Sequence, residues 1–309
     1  MPNLIEAPLA SPLSGFAVLE ISGNDRQSFL HNQFTNDLKL IDEPAAQLSA
    51  WCNPKGQVIT TLLIINTGST YLLIFKDNLK EVVQKRLSMF VMRSEVTIND
   101  ISNELPLTGL ANIDDLNLLG SNIPTKPGEL QTNDDLIIIC LPGYSGRYLI
   151  SGNIESLKDK FNDLEDKPQI TSSSIWELLD ILSGIPWITA NTQEQFLPQM
   201  LNLDSLKGLS YQKGCYPGQE VIARLHYKGK VKKRLNLIQS DFHLNVGDNV
   251  YSKQSKNNVG TVINSAHHPD GNFYGLAIIE LDKLNDKLFP ENQPDQEIIV
   301  LKLPYEFNP

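Results

Sequence analysis

Apolar and polar residues alternate along Phe16-Ala-Val-Leu-Glu-Ile-Ser22, the period of a strand. Gly23-Asn24-Asp25 supplies a turn and a helix cap, and a helical pattern follows from Arg26 to about Gln33. Leu48 to Cys52 and Gln57 to Asn66 read as strands. Thr67-Gly68-Ser69 then turns the chain into a third, from Thr70 to Phe75. Between Asp77 and Phe90, Leu79, Val82, Val83, Leu87 and Phe90 share one face at helical spacing. Glu95 to Ile98 is strand-like again. Strands followed by helices without strict βαβ alternation predict an α+β domain over residues 1–100, partly completed by later segments.

From 101 to 230 the pattern predicts a second α+β domain. Asp135 to Cys140 reads as a buried strand, Arg147 to Ser151 as its partner, and Ile154 to Phe161 as a helix. Ser174-Ile-Trp-Glu177 has the form of a capping box, opening a helix that ends near Gly184-Ile-Pro186. Beyond 230, short apolar runs at Leu235–Ile238, Asn249–Tyr251, Val259–Val262, Tyr274–Ile279 and Glu297–Leu301 are separated by Gly, Asn, Asp and Pro. That spacing predicts a small antiparallel β-barrel over 231–309.

With 41% hydrophobic and 20% charged residues, the chain has an ordinary globular composition. It contains no run of 18 apolar residues, so no membrane span is expected. The early segment lacks a basic region followed by an apolar one, so no leader is expected either. Cys52, Cys140 and Cys215 are odd in number and far apart, which predicts a cytoplasmic protein without a disulfide framework. No CxxC or HxxxH pair occurs, so no metal site is expected from this chain alone. A metal cluster, if one is involved, would be shared with a partner or handled in passing.

The net charge of −10 argues against a general nucleic-acid binder. Charge is uneven, however. Lys207 to Arg234 holds eight basic residues and one acid, Glu220, a window of +7 against −17 elsewhere. Charge alone is compatible with a solvated hairpin or an anion site, and the position beside Cys215 favours an anion site.

Within that window lies Lys213-Gly214-Cys215-Tyr216-Pro217-Gly218-Gln219-Glu220. Gly214 permits a tight turn, and Pro217 suits the first position of a helix running through Arg224. Cys215 is expected just before that helix, where the unpaired amides, the dipole and Lys213 would favour a thiolate. Gln219 and Glu220 would project from the first turn, to hydrogen-bond a polar heterocycle or to cap the chain. The plain alternative is a buried cysteine in a strand-to-helix turn. His226 has nothing obvious to orient it as a base for Cys215.

The motif from Lys213 to Glu220, continuing to Arg224, resembles the defining motif of the YgfZ family of folate-binding, tRNA-modifying proteins. The likeness extends to Gly23–Leu30, Gln33-Phe-Thr-Asn-Asp37, Cys52-Asn-Pro-Lys-Gly56, Gly184-Ile-Pro186, Gln195-Phe-Leu-Pro-Gln199 and Asn202-Leu-Asp204. It implies two partly ferredoxin-like α+β domains closing a ring with a C-terminal β-barrel, related to the glycine-cleavage aminomethyltransferase and to mitochondrial iron–sulfur assembly factors. It also implies tetrahydrofolate or another folate in the central hole. Phe16 and Trp176 match the two aromatic positions linked to folate; the family often has Trp where this chain has Phe16. Gln33, Asp37, Tyr216, Gln219, Glu220 and Arg224 are the further cofactor-binding candidates, and Cys215 is the candidate reactive thiol.

Two departures bear on mechanism. Where the aminomethyltransferases carry an Asp pair that includes the catalytic acid, this chain has Thr60 and Thr61. A hydroxyl supplies neither the charge nor the proton chemistry of a carboxylate near neutral pH. A glutamate often found before the Gly-Ile-Pro turn is replaced by Leu182. The resemblance therefore implies a folate-binding accessory protein that supports iron–sulfur enzymes or cluster carriers, acting on tRNA indirectly. The alternatives are a folate-dependent one-carbon transferase, with Asp37 or Glu220 as acid, and a direct RNA-binding module using Lys228 to Arg234. The last is disfavoured because no aromatics interleave the basic stretch.

Overall fold

The structure, a computed structural model, describes residues 7–113, 123–133, 136–143, 146–162, 167–254, 257–291, 293 and 295–307. A five-stranded antiparallel sheet forms first, in the order β3-β4-β5-β2-β6: β2 is Phe16–Ser22, β3 Ala45–Cys52, β4 Val58–Asn66, β5 Tyr71–Lys76 and β6 Thr97–Asp100. Every residue of β4 and β5 is buried, as expected of strands covered on both faces. Alternate residues separate the two layers. Ala17, Leu19, Leu62, Ile64, Leu73 and Phe75 join one core, while Phe16, Val18, Leu63, Ile65, Leu72 and Ile74 join another.

The second core is closed by a six-stranded sheet, in the order β11-β1-β7-β10-β9-β8. Its strands are β1 Leu9–Pro12, β7 Leu107–Ala111, β8 Leu130–Asn133, β9 Leu136–Cys140, β10 Tyr148–Ser151 and β11 Gln169–Ile170. The N-terminal strand β1 thus crosses from the first segment of the chain into this second sheet. β9 and β10 pair, as the sequence predicts, and run antiparallel; Asp135, the expected first residue of β9, lies outside the described residues. Helix α3 (Ile154–Asn162) covers the far face with Ile154, Leu157 and Phe161.

Beyond residue 230, β12 (Lys233–Ser240), β13 (Asn249–Ser252), β14 (Asn258–His267), β15 (Phe273–Glu280), β16 (Leu288–Pro290) and β17 (Ile299–Leu301) form an antiparallel sheet, β16-β13-β14-β15-β12-β17. It curls into a half-barrel, with a bridge between Leu288 and Ile298 drawing its two edges together. Helix α4 (Ser173–Leu182) touches β1, β14 and β15. Its Trp176 and Leu179 enter the second core and its Leu178, Ile181 and Leu182 the first, so this one helix joins all three sheets.

Several local expectations need correction. The capping box at Ser174 does not form: α4 is capped at Ser172 without a side-chain bond to its amides, and Ser174 lies inside the first turn. The helix expected over Asp77–Phe90 begins with a 3-10 turn and continues as α2 (Lys80–Ser88). Leu79, Val83 and Leu87 are buried on its inner face, but Phe90 lies beyond its end and is 48% exposed. Helix α1 stops at His31 rather than Gln33 (Arg26–His31).

Candidate functional site

The motif segments are distant in sequence and meet in one assembly. Helix α5 (Gln219–Lys228) starts at Gly218, whose φ of +82° is left-handed and suits glycine. A β-carbon on Gly218 would lie 2.5 Å from Gly56 Cα and 2.6 Å from the Asn53 carbonyl oxygen. The Asn53-Pro-Lys-Gly56 turn therefore seats directly on the start of α5. Gln199 Nε2 donates to the Ile222 carbonyl at 2.7 Å, and Arg234 Nη1 donates to the Gln199 carbonyl at 2.8 Å and to Asp204 Oδ1 at 2.7 Å. Asn202 Nδ2 donates to the Leu235 carbonyl at 2.9 Å. These bonds fasten the 195–204 segment to α5 and to the first strand of the half-barrel.

Two expectations about the cysteine motif change. Pro217 lies before the cap, not at the first helical position, and Cys215 stands three residues ahead of Gly218. Lys213 does not stand free beside the thiol. Its side chain is buried, and Nζ donates to the backbone carbonyls of His31, Phe34 (2.5 Å) and Asn36 (3.2 Å), lying 4.9 Å over the Tyr216 ring. Lys213 thus holds the loop that carries Gln33 and Asp37 against the cysteine turn. Burial lowers its pKa to about 8 from 10.5, against a smaller opposing pull from Asp37.

The consequence for stability has a definite sign. Between about pH 8 and 10.5 the unfolded chain holds a proton on Lys213 that the folded chain lacks, so this group's contribution to unfolding free energy rises with pH. Relative to Lys213→Met, wild-type stability should improve across that window by up to ~1.4 kcal/mol per pH unit and then level off. Urea titrations of both proteins from pH 7.5 to 10.5 measure this, and a constant difference would contradict it.

Cys215 is exposed, whereas Cys52 and Cys140 are buried and burial raises their pKa values. The buried-cysteine alternative is therefore excluded for Cys215. His31 Nε2 lies 3.6 Å from where a β-carbon on Gly214 would stand, and His31 Nδ1 is 3.4 Å from Asp37 Oδ1. Burial, then the Lys213 charge, lowers the His31 pKa, with Asp37 opposing. This makes His31, which the sequence did not single out, the imidazole beside the cysteine turn. His226 instead stacks on Tyr211 at 3.7 Å between ring centroids. Tyr216 is buried, and Gln219 Nε2 reaches the Lys213 carbonyl at 3.5 Å. Glu220 and Arg224 are exposed on α5.

The aromatic candidates lie elsewhere. Phe16 and Trp176 line a small apolar cavity with Leu48, Leu63, Pro142 and Trp187. Phe16 meets Trp187 edge-on at 4.9 Å, with Lys76 Nζ 4.3 Å above its ring. Trp176 is seated against Gly109, where a β-carbon would lie 2.4 Å from the indole. The Arg147 guanidinium lies 4.6 Å over Trp176 and pairs with Asp180, which also accepts from Trp187 Nε1 at 2.8 Å.

Leu48, Leu63 and Pro142 also border a cleft of about 950 Å³. Its walls come from both of the first two sheets, from residues 205–207 and from Pro304 and Tyr305. Asn36, beside the predicted Asp37, belongs to its lining. Its Nδ2 donates to the carbonyls of Leu48 (2.8 Å) and Lys207 (2.7 Å). Gln47, another lining residue absent from the sequence-based candidates, has a buried Nε2 without a hydrogen-bond partner.

Thr60 and Thr61 are buried in structural bonds. Thr61 Oγ1 donates to the Pro186 carbonyl at 2.9 Å and accepts from the Ile188 amide at 3.0 Å, while Thr60 Oγ1 donates to the Thr61 carbonyl at 3.0 Å. Leu182 is core. Among the described residues no three His, Cys, Asp or Glu side chains are grouped to hold a metal, and no helix is long and apolar enough to cross a membrane.

This arrangement of two sheets and a curled third defines a protein of the aminomethyltransferase fold. A solved structure of the glycine cleavage system aminomethyltransferase T from Bartonella henselae is similar over 96% of this chain and 86% of that chain, with a TM-score of 0.75 and 12% identity. No family model matches the chain. Its sequence is 31% identical over 325 residues to the tRNA-modifying protein YgfZ of Colwellia psychrerythraea, covering 99% of this chain and 96% of that protein. It is 32% identical to the protein of the same name from Blochmanniella pennsylvanica, over 86% of this chain and 85% of that protein. The chain belongs to the YgfZ family.

Proposed function

We propose that this chain binds tetrahydrofolate or another folate and supports iron–sulfur enzymes, including those that modify tRNA, with Cys215 as a reactive thiol. The link to tRNA rests on the names of the related proteins. The observation that carries the folate reading is the cleft of about 950 Å³ between the first two sheets, with Asn36, Gln47 and Lys207 among its lining residues. Its size and mostly apolar lining, with a few polar groups, suit a heterocyclic ligand. Gln47, a lining residue, would offer its side-chain amide to a polar ring edge, and the exposed Lys207 a positive charge to a carboxylate tail. Phe16 and Trp176 would act from behind the shared wall at Leu48 and Leu63. A bound reduced folate would supply one-carbon carrying capacity. In this reading the partly ferredoxin-like sheets and the half-barrel close as a ring around that ligand, and the protein works in the cytoplasm.

A one-carbon transferase of the aminomethyltransferase type is the weaker reading, because Thr60, Thr61 and Leu182 leave no carboxylate at those positions. Asp37 faces His31, and Glu220 is exposed on α5. Titration with tetrahydrofolate by calorimetry tests the folate reading. Saturable binding is expected, weakened about tenfold by Gln47→Leu through loss of one hydrogen bond. No saturable heat at millimolar ligand would reject it.

A further inference from the structure

The basic window of the sequence lacks interleaved aromatics, but the fold supplies them. Helix α5 leaves Arg224, Tyr227 and Lys228 exposed along one side, with Tyr227 67% exposed. Tyr211, from the loop before the cysteine motif, stacks on His226 with ring planes 11° apart, and Tyr227 stands edge-on to both. Beside this aromatic group runs a groove of about 470 Å³ bordered by Tyr211, His226, Lys230 and Arg234. Lys230 and Lys232 continue the positive charge past the end of α5, and both are exposed. Asp204 is engaged by Arg234 and Glu280 by Lys233; Asp282, next to the Leu281 that bonds the Lys232 carbonyl, lies 3.9 Å from Lys283, while Glu306 lines the groove and Glu220 stands at the opposite end of the helix.

We propose that this face, from Arg224 to Lys232 with Tyr211, His226 and Tyr227, binds single-stranded RNA directly. Cations that follow a backbone and aromatic rings that receive bases are the two components of sequence-tolerant single-strand binding. A purely acidic polypeptide would need the cations but not the rings, so the aromatic group favours RNA. Arg224, Lys228, Lys230 and Lys232 are all exposed on this face, a local positive charge in a chain of net −10 that favours a polyanion here. Helix α5 is ten residues long, about 15 Å. A strand held at Lys228–Lys232 and running along it would end beside the exposed Cys215. The choice of RNA rests on the tRNA reading above, while the folate reading stands or falls separately.

The test is fluorescence anisotropy of the full chain with a labelled mixed-sequence 20-nucleotide single-stranded RNA and, separately, a polyglutamate peptide. For four phosphate contacts, log K should fall with log salt at a slope of about −3. Lys228→Glu/Lys230→Glu should weaken RNA binding at least tenfold, and Tyr227→Ala about tenfold, both with tetrahydrofolate affinity unchanged. Absence of RNA binding at 50 mM salt would overturn the proposal. So would polyglutamate binding as tightly as RNA with indifference to Tyr227→Ala, which assigns the face to an acidic polypeptide. Loss of tetrahydrofolate affinity in these variants would assign it to the folate tail, and also overturns it. RNA binding with no folate binding would uphold the proposal while rejecting the folate reading.

Discussion

Cys215→Ala is expected to abolish rescue of iron–sulfur-dependent tRNA modification in a strain lacking this protein, while changing unfolding free energy by no more than about 0.5 kcal/mol. The two halves of that expectation have different origins. Cys215 is exposed and makes no core contact, so removing its sulfur leaves no cavity and orphans no buried group. Around it, Gly218 is fitted to Gly56 and Asn53, and Lys213 is tied to three carbonyls, which fixes the turn independently of the thiol. Cys215→Ser should also fail, because a serine hydroxyl keeps the shape but not the thiolate chemistry. The measurement is the level of thiomethylated tRNA in complemented cells, alongside urea denaturation of the purified variants. Full rescue by Cys215→Ala would remove the thiol from the function and leave the motif as scaffold.

Arg147→Ala and Asp180→Ala should each destabilise the fold by about 3–5 kcal/mol. Both side chains are almost wholly inaccessible, and Asp180 accepts from Arg147 and from Trp187 Nε1. Arg147 also bonds Ser183 Oγ at 2.9 Å and covers the face of Trp176. Removing either charge leaves the other buried without its counter-ion, at the contact between α4 and the segment that enters β10. Replacing both, as Arg147→Met/Asp180→Leu, should recover much of the loss, since an apolar pair avoids the desolvation of two ions. Urea denaturation followed by tryptophan fluorescence reports this well, because Trp176 and Trp187 both touch the pair. A single-variant cost below about 1 kcal/mol would mean that the ion pair is solvated or dispensable.

Local elements were legible where the pattern is dense. Phe16–Ser22 is found as read, and the neighbouring strands shift by one to three residues at their ends. Short strands such as β1, β8, β11 and β16 escaped notice, because two to four residues carry too little periodicity to stand out. The capping box at Ser174 misled because Ser172, Ser173 and Ser174 are consecutive, and any of the three suits a helix start. Phe90 has the spacing of an inner-face residue, but the helix has already ended when the chain reaches it.

For the site, the sequence alone determined the cysteine motif and its unusual backbone, since two glycines and a proline around one thiol constrain the turn by sterics. It also determined the absence of carboxylates at positions 60 and 61, and a family resemblance that the relatives bear out. Only the tertiary structure decided what those residues touch. Lys213, read as a charge beside a thiol, became a buried clamp because three backbone carbonyls from 177 to 182 residues away converge on it. His31, Gln47, Arg147 and Tyr211 acquired interest the same way, from neighbours remote in sequence. Periodicity and turn chemistry act between residues a few positions apart and can be read along the chain. Burial, ion pairing and the shape of a cleft arise from contacts between distant segments, and these exist only once the three sheets have packed around α4.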